Sequence, residues 1–141
     1  MKYFLIYLLS SIILLASDVN LHQVKILETI MQKISLDSRK FIWSDNTNLL
    51  NELKSHHILN IVKDCQSANL LILEKNIIPI ECKNKYIFVL NYDLLSEIPN
   101  SFGALFWKKG RPNIIILEPR INAQAIKTQE ELEPYLEERI W

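Results

Sequence analysis

Short runs of apolar residues, each bounded by polar residues, limit the possible folds of this 141-residue chain more than any other feature. Such a run is typical of a strand that is buried on both faces, in a sheet that helices cover on either side. Five strands are predicted from these runs, at 41–43, 59–62, 70–73, 86–90 and 113–117. The sequence therefore favours a sheet whose strands are largely parallel.

Amphipathic stretches alternate with these runs, and in them apolar residues recur at spacings of three and four. Helices are predicted at 19–34, 48–56 and 129–140, the last containing Pro134, with a helical turn at 93–98. Segment 41–62 is expected to form a right-handed crossover between parallel strands. The alternation predicts a single three-layer α/β domain, with a mixed, mainly parallel sheet of about five strands flanked by helices.

Residues 1–17 have the composition of a secretory signal peptide. Lys2 supplies the positive charge, and the apolar run of about 14 residues that follows is shorter than the roughly 20 residues of a membrane-spanning helix. Cleavage is expected after Ala16 or Ser17, which leaves residues 18–141 as one α/β domain; an uncleaved N-terminal anchor is the alternative. In a Gram-negative host, this export places the mature protein in the periplasm.

The two cysteines, Cys65 and Cys82, are informative in an exported protein, because the periplasm permits disulfides. An even number of cysteines predicts one Cys65–Cys82 bridge. Closing a loop of about 17 residues in this way stabilises a fold by about 3 kcal/mol. Two free, partly buried thiols are the alternative. A redox enzyme is not expected, because the chain lacks a C-x-x-C motif.

Composition excludes several classes of function. Sixteen basic residues balance sixteen acidic ones, so the chain lacks the net positive charge of a nucleic-acid-binding protein. The two glycines, Gly103 and Gly110, cannot form a glycine-rich phosphate loop. Adjacent His56 and His57 do not share a helix face, and histidines that complement a helix C-terminus are the simpler interpretation. No catalytic residue, metal ligand or cofactor is therefore predicted.

The segment from Phe102 to Arg120 has the densest combination of aromatic and basic residues. Aromatic rings beside cations are able to hold an anionic ligand or an acidic partner surface. The predicted binding residues in this segment are Trp107, Lys108, Lys109, Arg111 and Arg120. A turn at 110–112 would project the cations outward. A solvated basic turn next to a strand or helix that packs on the core is the alternative.

Asp45 is a further candidate binding residue. It follows the predicted strand 41–43, and open α/β sheets bind ligands at the carboxyl ends of their strands. The sequence Asp45-Asn46-Thr47 also precedes a predicted helix, where such residues commonly form an N-cap. Both interpretations remain open from the sequence.

The order of several residues and predicted strands along the chain is similar to that in a known family. Cys65 precedes the hydrophobic strand 70–73, and a later segment contains Gly103, Arg111, the run 114–117 and Asn122. Over most of residues 20–140 this order resembles the small periplasmic regulators of the YfiR type. The chain departs from that pattern at Ala104 and Ile116, which replace a glycine and a phenylalanine, and it has two cysteines where the family has several. The resemblance implies a secreted repressor that restrains a membrane-bound sensor such as a diguanylate cyclase.

A second resemblance is to one lobe of the periplasmic solute-binding proteins, through the segment CQSANLLILEKN at 65–76. A chain of this length would need a partner or a homodimer to close a cleft. The sequence thus predicts a periplasmic binding or regulatory module whose partner is a protein, such as an inner-membrane sensor, or a small anionic ligand. The alternatives are a solute-binding-like protein and a small periplasmic enzyme with a site near Asp45 and Arg111.

Overall fold

The computed structural model describes residues 20–141, so the predicted signal peptide at 1–17 lies outside the described residues. Strands in this part of the chain are β1 (Ile34–Ser35), β2 (Ile42–Ser44), β3 (Leu70–Leu73), β4 (Tyr86–Val89), β5 (Ser101–Lys108), β6 (Arg111–Leu117), β7 (Lys127–Thr128) and β8 (Leu136–Glu137). Helices are α1 (Leu21–Gln32), α2 (Thr47–His56), α3 (Leu94–Glu97) and α4 (Glu118–Ala123), with 3-10 helices at Ile80–Cys82 and Glu130–Tyr135.

A six-stranded sheet in the order β2-β3-β4-β5-β6-β8 forms the centre of the molecule. All neighbouring strands in it are parallel except β5 and β6, which form an antiparallel hairpin. Strands β1 and β7 form a separate antiparallel pair. The predicted class, a single α/β domain with a mixed and mainly parallel sheet, is confirmed, with six strands where the sequence predicted about five.

Hydrophobic cores cover both faces of this sheet, which explains the unbroken apolar runs. In β3, Leu70 and Ile72 face a core formed with α1 and α2, whereas Leu71 and Leu73 face a core formed with α3 and the cysteines. Each of the four side chains is fully buried. A strand in this position has no face on which a polar side chain is favourable.

Helix α1 forms where its sequence predicts an amphipathic helix. The side chain of Asn20 accepts hydrogen bonds from the backbone amides of His22 and Gln23 and so caps the N-terminus. At the other end, the ammonium group of Lys40 donates to the carbonyls of Met31 and Ile34, at 2.6 and 2.7 Å. None of the helices within residues 20–141 has both the length and the apolar content to span a membrane.

Two predicted elements are wrong. The segment 59–62 forms a single parallel bridge between Ile61 and Ile42 instead of a strand, and β3 is the strand that pairs with β2. The predicted helix 129–140 is a 3-10 helix at Glu130–Tyr135 followed by β8. Pro134 has no amide hydrogen and clashes with the preceding turn, so an α-helix is unfavourable there. The chain instead becomes extended and pairs with β6.

Candidate functional site

Strands β5 and β6 form a hairpin that projects beyond the parallel part of the sheet. Pairing between β4 and β5 ends at Ala104, and the last four residues of β5 pair with β6 alone. Lys109 and Gly110 form the two-residue turn, with φ angles of 53° and 76°. Positive φ at both positions is the signature of a type I′ turn, whose twist matches that of the flanking strands.

This turn corrects the prediction of a turn at 110–112. Arg111 and Pro112 are paired residues of β6, opposite Lys108 and Trp107. Proline is tolerated here because this end of β6 has no strand on its outer side within residues 20–141, so an amide hydrogen is not required at every residue. Gly110 takes the second turn position, where it has open space around it and a conformation that other residues rarely adopt.

The hairpin tip, defined as Lys108, Lys109 and Arg111, carries three exposed cations. Lys108 and Arg111 lie directly opposite each other in the strand register. Like charges in this position are destabilising. None of the three cations is within 4.0 Å of a carboxylate in the described part of the chain. The tip is therefore a concentrated positive surface whose cations form no ion pair within residues 20–141, although Glu137 lines the same groove as Lys108.

Aromatic residues fix the hairpin on both of its faces. On one face Trp107 makes an edge-to-face contact with His22 of α1, with ring centroids 6.1 Å apart, and remains 36% exposed. On the other face Phe106 makes a similar contact with Tyr92 at 5.2 Å. The hydroxyl of Tyr92 in turn donates a hydrogen bond to the carbonyl of Trp141. The tip is thus held by packing on two sides while its cations stay in solvent.

Two grooves lie beside β6, one on each face of the sheet. The α1 groove, of about 470 Å³, lies between α1, β6 and the 3-10 helix at Glu130–Tyr135, and its apolar side chains include Ile26, Ile30 and Leu132. The aromatic groove, of about 550 Å³, is lined by Tyr92, Phe106, Ile115 and Trp141 among others. Ile114 contributes to the walls of both grooves.

Arg120 does not join the hairpin tip. One terminal nitrogen of its guanidinium donates to the carbonyls of Leu95 and Ser101, at 2.7 and 2.9 Å, with longer contacts to Ile98 and the Ser101 hydroxyl. Burial lowers its pKa. Ser101 begins β5 and the tip ends it, about 23 Å away at the rise of an extended strand. Arg120 therefore links α3, β5 and α4.

Asp45 also lies apart from the tip. Its two carboxylate oxygens accept hydrogen bonds from the amides of Glu74 and Lys75, at 2.7 and 2.9 Å, which joins the ends of β2 and β3. The N-cap of α2 is Asn46, whose side chain accepts from the amide of Leu49. Asp45 follows β2 and Arg111 begins β6, so four strand spacings, about 19 Å, separate them across the sheet. Asp45 and Arg111 thus do not form one shared site.

Cys65 and Cys82 form a disulfide, with their Cα atoms 6.1 Å apart. Both cysteines are buried in the core that covers the α3 face of the sheet. The bridge joins the segment before β3 to the 3-10 helix before β4. The pairing predicted from the sequence is therefore present.

One cluster of titratable residues was not anticipated from the sequence. His56 at the end of α2 contacts Glu28 of α1 through Nδ1 at 2.8 Å, and Glu52 through Nε2 at 3.1 Å. These hydrogen bonds, that to Glu28 first, raise the pKa of His56 above its ordinary value of 6.5. Only the i, i+4 spacing of Glu52 and His56 was visible in the sequence. His57 adopts the left-handed C-cap position, with φ at 55°.

Glu28 is 6% exposed, and its second carboxylate oxygen has no hydrogen-bond partner among residues 20–141. The two carboxylates of the cluster bind opposite nitrogens of the imidazole ring, so they do not converge on one point. No group of three His, Cys, Asp or Glu residues in the described part of the chain is arranged to hold a metal ion. The cluster is a hydrogen-bonded link between α1 and α2.

Comparison of the chain with protein-family models, with curated proteins and with solved structures finds no match in any of the three. The resemblance to YfiR-type regulators therefore stays a prediction from the sequence. Any conclusion on function depends on the geometry of the hairpin and its surroundings.

Proposed function

We propose that this protein is an exported binding module that recognises an acidic surface of a protein partner through the hairpin tip. The observation that carries the proposal is the concentration of three exposed cations, without an ion pair in residues 20–141, on a hairpin that aromatic contacts anchor on both faces. An arrangement that destabilises the isolated protein becomes favourable when a partner supplies the opposite charge.

The kind of contact follows from the residues present. Arginine and tryptophan are enriched among the residues that dominate binding energy in interfaces, and this end of the hairpin presents Arg111 on one face and Trp107 on the other. Exposed charges at the edge of an interface act mainly on the association rate and on its dependence on salt. Association is therefore expected to be fast and to weaken as the salt concentration rises.

Two features support export. The N-terminal residues 1–17 have the composition of a signal peptide, and the Cys65–Cys82 disulfide is typical of oxidising compartments. In a Gram-negative host the partner would be a periplasmic protein or the periplasmic domain of an inner-membrane sensor, as the YfiR-type resemblance implies. Cell fractionation with N-terminal sequencing tests this step, and a cytosolic protein that retains Met1 would contradict it.

The partner is sought with immobilised protein in an extract of the source cells and is then purified for calorimetry at two salt concentrations. The test variant is Lys109→Glu/Arg111→Glu. The control is Lys75→Glu/Lys83→Glu, which reverses two exposed lysines elsewhere and changes the net charge equally. We expect the test variant to bind at least about tenfold more weakly, which corresponds to about 1.4 kcal/mol, and the control to bind like wild type. Equal affinity of both variants would refute the proposal.

A further inference from the structure

The outer edge of β6 is largely uncovered. Strand β8 has two residues and pairs with Ile116 and Leu117 at the end of β6. The preceding residues, 111–115, have no strand on their outer side among residues 20–141. This free edge therefore runs from the hairpin tip to the point where β8 begins.

The two-residue turn determines which backbone groups point outward. It makes Lys108 and Arg111 the first hydrogen-bonded pair, and bonded and non-bonded pairs then alternate along an antiparallel ladder. By this alternation Pro112, Ile114 and Ile116 direct their backbone groups away from β5. Ile116 is the residue that pairs with Leu136 of β8, which agrees with the assignment. Within the described part of the chain, Ile114 therefore presents an unpaired amide and carbonyl to the outside, and Pro112 a carbonyl.

Side-chain space lies on both sides of this edge. Successive residues of a strand point to opposite faces, so a strand added to β6 would direct its side chains alternately into the α1 groove and the aromatic groove. Both grooves reach Ile114, where the unpaired backbone groups lie. The edge thus combines main-chain hydrogen bonding with two apolar grooves, as in proteins that bind peptides by strand addition.

Charge indicates what the occupant is. The edge begins at the hairpin tip with three cations, and Lys25 adds another cation in the α1 groove. The acidic residues of the grooves are Glu131, which pairs with Lys33 at 3.6 Å, and Glu137. A second copy of this chain would bring the same three cations to the edge. An acidic segment is therefore the more favourable occupant.

We infer that the free edge of β6, at 111–115, accepts an extended acidic segment of the partner protein as an additional strand. The inference rests on the proposed function and specifies how the partner is held. Acidic side chains of the segment lie at the hairpin tip, its backbone pairs with Ile114, and its apolar side chains enter the two grooves.

The probes are two peptides of about ten residues, each with three Asp or Glu residues at one end and alternating Val, Tyr and Thr in the remainder. One has the acidic residues at its N-terminus and the other at its C-terminus, so both strand directions are sampled. The control peptides carry Lys in place of Asp and Glu. We expect one acidic peptide to bind at least about tenfold more tightly than its Lys control, and to slow hydrogen exchange of the Ile114 amide.

Ile114→Pro tests the backbone contact directly. It removes the outward amide at a position that does not donate to β5, so the hairpin ladder is retained. Ile114→Val keeps the amide and is the matched control. We expect Ile114→Pro to weaken peptide binding about tenfold and Ile114→Val to bind within about twofold of wild type. Exchange of the Ile114 amide in the wild-type protein gives the same information if the proline variant does not fold.

The outcomes separate this inference from the proposed function. If the variant Lys109→Glu/Arg111→Glu loses binding while Ile114→Pro retains it, the tip recognises acidic groups but strand addition is wrong. If neither acidic peptide binds the wild type, or if the Ile114 amide exchanges equally fast in the complex, strand addition is also wrong. The proposed function is then tested only by the binding of the purified partner to the wild type and to Lys109→Glu/Arg111→Glu.

Discussion

Replacing Arg120 with methionine is expected to lower the free energy of unfolding by about 2–4 kcal/mol. Its Nη1 atom carries two hydrogens, which account for the two short bonds to the carbonyls of Leu95 and Ser101 at 2.7 and 2.9 Å. Hydrogen bonds from a charged group contribute about 1.5–3 kcal/mol each. The expected loss is set lower than the summed range of about 3–6 kcal/mol because part of the side chain is exposed and water is able to replace some of the lost bonds. Methionine keeps the apolar stem, so the change reports mainly on the guanidinium.

Arg111→Met is the matched control. Both arginines are predicted from the sequence to bind a partner or ligand, but Arg111 is exposed and lies opposite Lys108. Its replacement removes a like-charge pair, so stability should change by no more than about 0.5 kcal/mol. The two replacements should have the opposite order of effect on affinity for the partner. Arg111→Met should weaken binding, and folded Arg120→Met should bind like the wild type.

Urea unfolding of the oxidised proteins, followed by circular dichroism, measures the difference. For a slope of about 2 kcal/mol/M, the expected loss shifts the midpoint of Arg120→Met by about 1–2 M at unchanged slope. A loss below about 1 kcal/mol, or equal losses in the two variants, would show that Arg120 does not hold α3 and β5 together.

Three further predictions concern the rest of the fold. Replacing Cys65 and Cys82 with serine should lower the free energy of unfolding, measured in urea, by about 3 kcal/mol. Intact mass with and without reductant verifies the bridge of the wild type. The folded-state pKa of His56 is raised, so the stability it contributes is fully present below pH 6.5 and is lost as the pH rises through the folded pKa. As the pH is raised above 6.5, the urea midpoint of the wild type should accordingly decrease more than that of His56→Gln. Gly103→Ala should cost about 1–3 kcal/mol, since its Cβ would lie 2.7 Å from the carbonyl oxygen of Ile115.

Each of these predictions has an outcome that contradicts it. Two alkylatable thiols in unreduced, exported protein would exclude the Cys65–Cys82 bridge. An identical pH dependence in wild type and His56→Gln would mean that the contacts with Glu28 and Glu52 do not affect stability. An unfolding midpoint of Gly103→Ala equal to that of wild type would show that β6 moves away from β5 without loss.

How much of the fold is predictable depends on where the determining contacts lie. The bounds of β3 follow from its own sequence, because all four residues are buried by cores on two faces. A helix is predicted at 129–140 because the apolar residues there have helical spacing. Pro134 and the open edge of β6 instead favour an extended strand after Tyr135. The contacts of Arg120 could not be predicted because its acceptors are backbone carbonyls 19 to 25 residues away, which have no signature in the local sequence.

At the hairpin tip two local features oppose stability. Lys109 occupies a turn position with positive φ, where Asn, Asp or Gly is favoured, and Lys108 faces Arg111 across the strands. Positive φ at a residue other than glycine also occurs at His57 and Ala125, but at the tip it coincides with a like-charge pair. The helix caps Asn20 and Asn46 and the buried strand residues, by contrast, agree with the fold. Locally unfavourable residues concentrate at sites where function constrains the sequence. Like-charged side chains beside an open strand edge are therefore better explained by a partner that neutralises them than by the requirements of folding.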